Sequence, residues 1–530
     1  MESLEYYTVQ LGNGTALFSA RIVLSKDEGP KSLGDPIPGL FNTIQFIRNN
    51  HKFMSRVQNA MRGESLLRFN LGNQKVYLVA GSQGIRTVFG REMIHNVTNQ
   101  EQMTRFTLPT LYKMNADEVQ RWEQDKSGVA KVPRSGTEDV PSRERLWYNY
   151  EHIYTEYLGK PQYIKPLIAI FQQNFEQRLN RYPTGEWTSI SIRDFCRHDV
   201  AAVAVGALFG PDLIGSTPDF INRFWKFDEH VFKLIAGLPR WLSPTPYKVH
   251  DHYTEALQSW LERASTNYER EKTGDEPDWE PRFGSRAVRE MYTWMKETNW
   301  REEVIAATLG ALAFALTSNS IPTAMWMLME IIRDPSLHRE VRDEIAAIST
   351  TDPVTGNAVL DSQKIASLPL LQSIWTEVLR LHISFNITRD VKEPLSIGGH
   401  TIAKGSMIQA PMMVAHYDET WGTNGHPASE FWAERHIKYS DGNRTYAMSG
   451  YNTYYPFGGG ANMCPGRQFA KLEVLTAVAL IIAKFDIEFQ EWSTIDGGTS
   501  ERGAQSDLKY CGAGAMPPDR DMKVRWKRVQ

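Results

Sequence analysis

Cysteine is scarce in this chain: Cys196, Cys464 and Cys511 are the three thiols in 530 residues. That excludes a disulfide framework and a cysteine-built zinc site, and it suits a reducing compartment. Any cysteine that matters must act alone. Neither sign of charge dominates. Lys and Arg number 59 against 62 Asp and Glu, a net charge of -3, which excludes a nucleic-acid binder working by bulk charge. No run reaches the ~18 consecutive apolar residues of a membrane-spanning helix. The opening stretch, MESLEYYTVQLGNGTALFSARIVLSKDEG, lacks the basic start and apolar run of a secretion signal. An intracellular protein without an N-terminal anchor is expected. Internal repeats and low-complexity tracts are also missing.

What is present is an ordinary globular composition, 41% hydrophobic and 23% charged. The length allows two to four domains of ~150 residues, or one large one. After the stiff segment GDPIPGL at 34–40, the pattern predicts a helix over 41–62 and a strand pair over 65–81 around a Gly-Asn turn. A polar loop follows at 123–146, helices over 146–261, and a linker at 268–285. Helices return over 288–380, broken by a loop at 349–361. The short strands PLSIGG and HTIAKGSMIQAP come next, then an irregular region at 417–463, a helix over 464–485, and strands and loops to the end. The composite is mainly α with a small strand-rich part.

Two places carry chemistry. The stretch from Glu302 to Pro335 is apolar nearly all round and reads as a central buried helix. Yet Thr317, Ser318, Asn319 and Ser320 stand together in its middle. Pro322 follows, removes the hydrogen bond to the Ser318 carbonyl and predicts a kink. Polar groups beside a kink inside a core are a place for ligand or water. The alternative is a structural helix whose hydroxyls bond back to their own turn.

The second place is YYPFGGGANMCPGRQFA around Cys464. Pro465 after the cysteine predicts a helix starting there, whose free N–H groups and dipole would stabilise a thiolate. Gly458, Gly459 and Gly460 let the backbone press against a bulky partner. The residues leave three readings: a buried structural cysteine, a nucleophile with partners elsewhere, or the single axial thiolate of a heme iron.

The spacing Phe457-x-x-Gly460-x-x-x-Cys464-x-Gly466 resembles the heme-binding signature of the cytochrome P450 family. Glu377 and Arg380 in TEVLRLH, with Arg435 in FWAERHI, resemble that family's buried Glu-x-x-Arg network. The likeness extends from about residue 36 to the C-terminus. It implies a mainly α cytochrome P450 fold with a small β-rich lobe: residues 34–530 as one heme-thiolate domain, and 1–33 as an extension without a membrane helix. It further implies heme b with iron ligated by Cys464, and Phe457 and Gly460 shaping the turn. Arg389 would pair with a heme propionate, with His416 a weaker candidate for the same anion. Asn462 stands where many relatives carry a cation. Ser318 and Asn319 occupy the positions where relatives keep an acid and a threonine for proton delivery, and are the candidate catalytic residues.

Asn319, Pro322 and Trp326 resemble the sterol 7α-hydroxylase and prostacyclin synthase branch, and similar fungal natural-product enzymes. The resemblance implies a monooxygenase using O2 and electrons from NADPH-cytochrome P450 reductase. The flavoprotein would dock near Arg467, Lys471, Lys438 and Arg444. Phe314, Phe385 and Ile387 suggest a large apolar, lipid-like or polycyclic substrate. Without the acid–threonine pair, a reductase-independent isomerase or dehydratase stays open, as does a non-catalytic heme protein. Relatives sit at the endoplasmic reticulum, so the expected location is cytoplasmic or peripheral at that membrane.

Overall fold

The computed structural model describes residues 8–11, 14–17 and 29–529, apart from 91–92, 94–95, 236, 267–276, 352, 354–357 and 449–450. Most of the expected 1–33 extension, 268–276 of the expected linker and part of the 349–361 loop lie outside the described residues.

The axis of the fold is the helix Glu302–Ile332. Its sequence is rich in Ala, Leu and Met, good helix formers. Glu302 and Glu303 in its first turn face the positive end of its dipole. It runs unbroken through Pro322 and ends where Asp334 caps the next helix, Pro335–Ala346, by accepting from the N–H groups of Ser336 and Leu337. Among the described residues it is the one helix long and apolar enough to cross a membrane. It is instead the buried centre of the protein, packed by the helices Pro244–Ser265, Pro369–His382 and Arg467–Lys484.

The strand-rich lobe begins with a hairpin, Leu66–Leu71 antiparallel to Gln74–Val79. The second strand runs parallel to Met407–Pro411, which pairs antiparallel with Ile383–Val391, and that strand pairs with Ala513–Ala515. Side chains alternate along the hairpin with period two. Leu67, Phe69, Val76 and Leu78 enter one apolar cluster, Leu66, Tyr77 and Val79 another on the opposite face. A separate sheet joins Trp187–Ser191, Asp521–Arg528 and Phe485–Ser493.

Two expectations are corrected and one strand is added. The helix over 41–62 is two helices, Phe41–Arg48 and Asn50–Ala60, because the Asn49 side chain caps the second by accepting from Lys52 N–H. The strand Ile383–Val391 was not anticipated: its polar members, Asn386, Thr388 and Asp390, hide the pattern. The last long helix starts at Arg467, not at Cys464.

Candidate active site

Cys464 sits in a closed turn before that helix. Its N–H donates to the Phe457 carbonyl at 2.9 Å, and Phe457 itself packs partly buried against the core. Gly460 has φ +69°, a left-handed conformation that favours glycine. At Gly459 a Cβ would come within 2.6 Å of the Phe89 ring. The turn therefore lies as close to its neighbours as bare backbone allows. Cys464 keeps solvent access although protein crowds it. Burial pushes its thiol up, while the N–H groups of Gly466 and Arg467 and the Arg467 charge pull the other way. The expected helix-terminal lowering is present in those N–H groups but is outweighed by burial.

Arg389, on the strand Ile383–Val391, is nearly buried, and its described hydrogen bond goes to the Thr388 carbonyl at 2.9 Å. Burial lowers its pKa against the opposing pull of Glu151 and Asp390. A small cavity is lined by Phe89, Arg389, Gly459, Gly460 and Asn462. Asn462 does not stand free for an anion: its Nδ2 donates to Glu151 Oε1 at 2.7 Å. Burial pushes the Glu151 carboxyl up, against Asn462 and Arg389. His416 is wholly buried. Its Nε2 accepts from Tyr455 N–H and its ring stacks on Tyr454, so it serves the loop around it.

The Glu377 network has the expected shape. Arg380 makes two 2.8 Å bonds to the Glu377 carboxylate, Arg435 adds one of 2.7 Å, and His436 approaches at 3.5 Å. The guanidinium groups spend their other donors on carbonyls of the irregular region: Arg380 on His416 and Ala428, Arg435 on Trp421, Pro427 and Glu430. The helix Pro369–His382 thereby holds the irregular segment that leads to Cys464. Burial pushes the Glu377 carboxyl up, but the bonds and charges of Arg380, His436 and Arg435 outweigh it and hold it near about 2.

On the long helix, the residues between Val304 and Ile332 with solvent access are Ala311, Phe314, Ala315, Leu316, Ser318 and Asn319. All but Leu316 fall at i, i+3, i+4, i+7 and i+8, one stripe of the helix surface. Ser320 and Thr323 bond back to the carbonyls of Leu316 and Asn319. Ser318 does not: its hydroxyl donates to Asp228 Oδ1 at 2.6 Å, across to the helix Phe220–Asp228. Asn319 Oδ1 accepts from Ala515 N–H at 3.0 Å and so ties the helix to the strand Ala513–Ala515. Phe385 lies beside the same strand, where a Cβ on Gly514 would be 3.4 Å from its ring. Ile387 lies by the cysteine turn, 3.8 Å from a Cβ on Gly458.

A lone thiol, a glycine-lined turn no side chain could occupy, and a buried arginine without a bonded carboxylate suit a flat macrocycle carrying iron and acidic substituents. Among the described residues no cluster of three His, Cys, Asp or Glu competes for a metal. The family model for cytochrome P450 matches residues 30–498. The chain belongs to the cytochrome P450 family. A cytochrome P450 monooxygenase of Penicillium decumbens, calL, is 38% identical over 97% of this chain and 96% of its own length. Another of Humicola fuscoatra, fsoE, is 26% identical over 96% of this chain and 90% of its own length. Cholesterol 7-alpha-monooxygenase of Cricetulus griseus is 27% identical over 66% of this chain and 68% of its own length. The chain is thus a P450 monooxygenase by family, with the mainly α fold the sequence implied.

Asp228 and Glu151 are the site residues that sequence reasoning missed. They meet their partners across 90 and 311 positions, and no local pattern marks either. Of the four charges expected to serve docking, Arg444 is engaged by Glu340 and Glu434, and Lys471 by Gln372. Lys438 is exposed and Arg467 partly so.

Proposed function

We propose that this P450 binds heme b through the Cys464 thiolate and oxidises a large apolar substrate by hydroxylation, epoxidation or desaturation, drawing electrons from an NADPH-dependent reductase. The observation that carries this reading is the open stripe of the long helix. A helix buried nearly everywhere else leaves Phe314, Ala315, Ser318 and Asn319 accessible, and a packed core does this where a ligand is to be received. When bound, the heme iron supplies the oxygen chemistry, with the thiolate ligand pushing electron density toward O–O cleavage. Metal coordination also overrides the raised thiol pKa, since a coordinating thiol is deprotonated.

The protein's own contributions are distinct. The glycine turn presents Cys464, and Arg389 neutralises a propionate with a fork that matches a carboxylate. Phe314, Phe385 and Ile387 give an apolar wall, which together with the sterol-acting relative supports a lipid-like or polycyclic substrate. Exposed Ile37, Leu40, Phe41, Ile44 and Ile47, and Trp241 at 82% exposure, support peripheral contact with a membrane surface. Such a contact releases the protein on alkaline extraction; resistance would mean an anchored chain.

The decisive experiment has two parts. Wild type should give the thiolate band of the reduced carbon-monoxide complex, and Cys464→Ala should lose it; a retained band would remove Cys464 as ligand. Turnover should need both NADPH and reductase. Product without either would favour the isomerase reading, which draws on the lack of an acid beside Ser318 on the helix itself.

A further inference from the structure

Monooxygenation takes up two protons and two electrons for each O2, returning one oxygen atom in the product and one in water. Ser318 and Asn319 cannot supply those protons, since neither ionises near neutral pH. Asn319 is moreover tied by its oxygen to Ala515. The structure brings an acid to the place from another helix. Asp228 is the last residue of the helix Phe220–Asp228, is 5% exposed, and meets Ser318 Oγ at 2.6 Å. Phe227, beside it, packs edge-to-face on Phe314, one turn before Ser318, with ring centroids 5.7 Å apart. The two helices are thus held in register at this contact. Ser318 is also the one hydroxyl of its group that turns away from its own helix to a carboxyl while lying on the open stripe.

We propose that Asp228 and Ser318 form a proton relay assembled across two helices, with Asp228 storing the proton and Ser318 passing it to the open face of the long helix. The inference rests on the monooxygenase reading. With Asp228 ionised, the Ser318 hydroxyl donates inward to the carboxylate. With Asp228 protonated, the carboxyl O–H donates to Ser318 Oγ, and the serine proton turns outward. In the transfer Ser318 would release its proton on the open face, where reduced oxygen needs it, and receive the Asp228 proton. Asp228 is left as a carboxylate and takes its next proton from water.

The surroundings keep both states within reach. Burial pushes the Asp228 carboxyl up to about 6, with the Ser318 bond and the Arg197 charge pulling down and Glu229 pushing up. Arg197 lies over the Trp225 ring at 4.3 Å and pairs with Glu229 at 3.6 Å, so its charge acts on Asp228 only from a distance. Tyr510 also faces this group and stays neutral, its hydroxyl raised by burial.

The test uses the heme-loaded protein with reductase. Infrared difference spectra taken across pH 4–8 should show a protonated-carboxyl band titrating near 6, apart from those of Glu330 and Glu473, which are raised to about 7 and about 8. The band should vanish in Asp228→Asn and shift in Ser318→Ala. Both variants should release several-fold more peroxide per NADPH, and Ser318→Thr should restore coupling. If the band near 6 ignores both substitutions, or coupling is unchanged in an NADPH-dependent enzyme, the relay is overturned while the monooxygenase stays intact. Product formed without NADPH overturns the monooxygenase reading, and with it any role for the pair in oxygen activation.

Discussion

Glu377 and Asp228 are buried to nearly the same depth, 0% and 5% exposed, yet their carboxyls are shifted in opposite directions. Around Glu377 two arginines and a histidine converge on one carboxylate, and it stays ionised. Around Asp228 one serine hydroxyl makes the direct contact and the nearest cation is engaged elsewhere. Depth is therefore not what makes a buried acid structural or exchangeable. The number of cations that bond to it decides, because each recovers solvation that burial removed.

The largest break in this comparison comes from stripping a cation. Arg380→Ala or Glu377→Ala leaves charge buried without its partner, a loss of about 3–5 kcal/mol. Such variants should yield little soluble, heme-loaded protein. Wild-type heme content and thermal stability in either one would refute the structural role of the network.

A smaller effect concerns Glu473, wholly buried on the helix Arg467–Lys484. Ser320 comes near it but donates its hydroxyl to the Leu316 carbonyl. Burial raises the Glu473 carboxyl to about 8, against a weaker pull from Ser320. A raised carboxyl is harmless below its unfolded value near 4.5, and stability then drains away as pH climbs toward 8. Glu473→Gln should therefore stabilise the protein at pH 8 relative to pH 5, by about 2–4 kcal/mol in urea unfolding. An equal effect at both pH values would mean that this carboxyl has found a cation.

Asp228 should behave likewise over a narrower window, from its unfolded value near 3.8 up to about 6. Asp228→Asn should gain about 1–3 kcal/mol at pH 8 relative to pH 4. Glu377 has the opposite sign. Its stabilisation is complete above 4.5 and fades only as pH falls through about 2. The smallest expected effect is that of Asn319→Leu, which strands the Ala515 N–H at about 1–2 kcal/mol. Its coupling should stay closer to wild type than that of Ser318→Ala, and a larger loss would give Asn319 a part in proton transfer.

The two halves of the site were legible to different degrees. The Cys464 turn could be read because its parts lie seven positions apart, closed by the Cys464–Phe457 hydrogen bond. Glu377 and Arg380 could be read because three positions on a helix make neighbours. The fold class followed from the same motifs. Asp228, the acid of the proposed relay, could not be read. The sequence near Asp228, NRFWKFDEH, offers an amphipathic helix ending in charge and nothing to show that its aspartate turns inward. The start of the last helix was misjudged because Pro465 invites one, while 465–466 form a turn and the helix begins at Arg467.

The segment near the end of the chain has a consequence for how the enzyme can diversify. Ala515 N–H is bound to Asn319, Met516 carbonyl to the Trp326 indole, and Met516 N–H to the His382 carbonyl. Ala513, Gly514 and Ala515 pair with Phe385, Ser384 and Ile383. A one-residue deletion at 505–512 would turn over every side chain of this strand against its partner and slide both anchors off the long helix. Substitutions at 383–387 would explore new products a little at a time. A change of length at 505–512 would move the whole wall in one step, so laboratory lineages should accumulate the former and reach the latter only from a background with stability to spare.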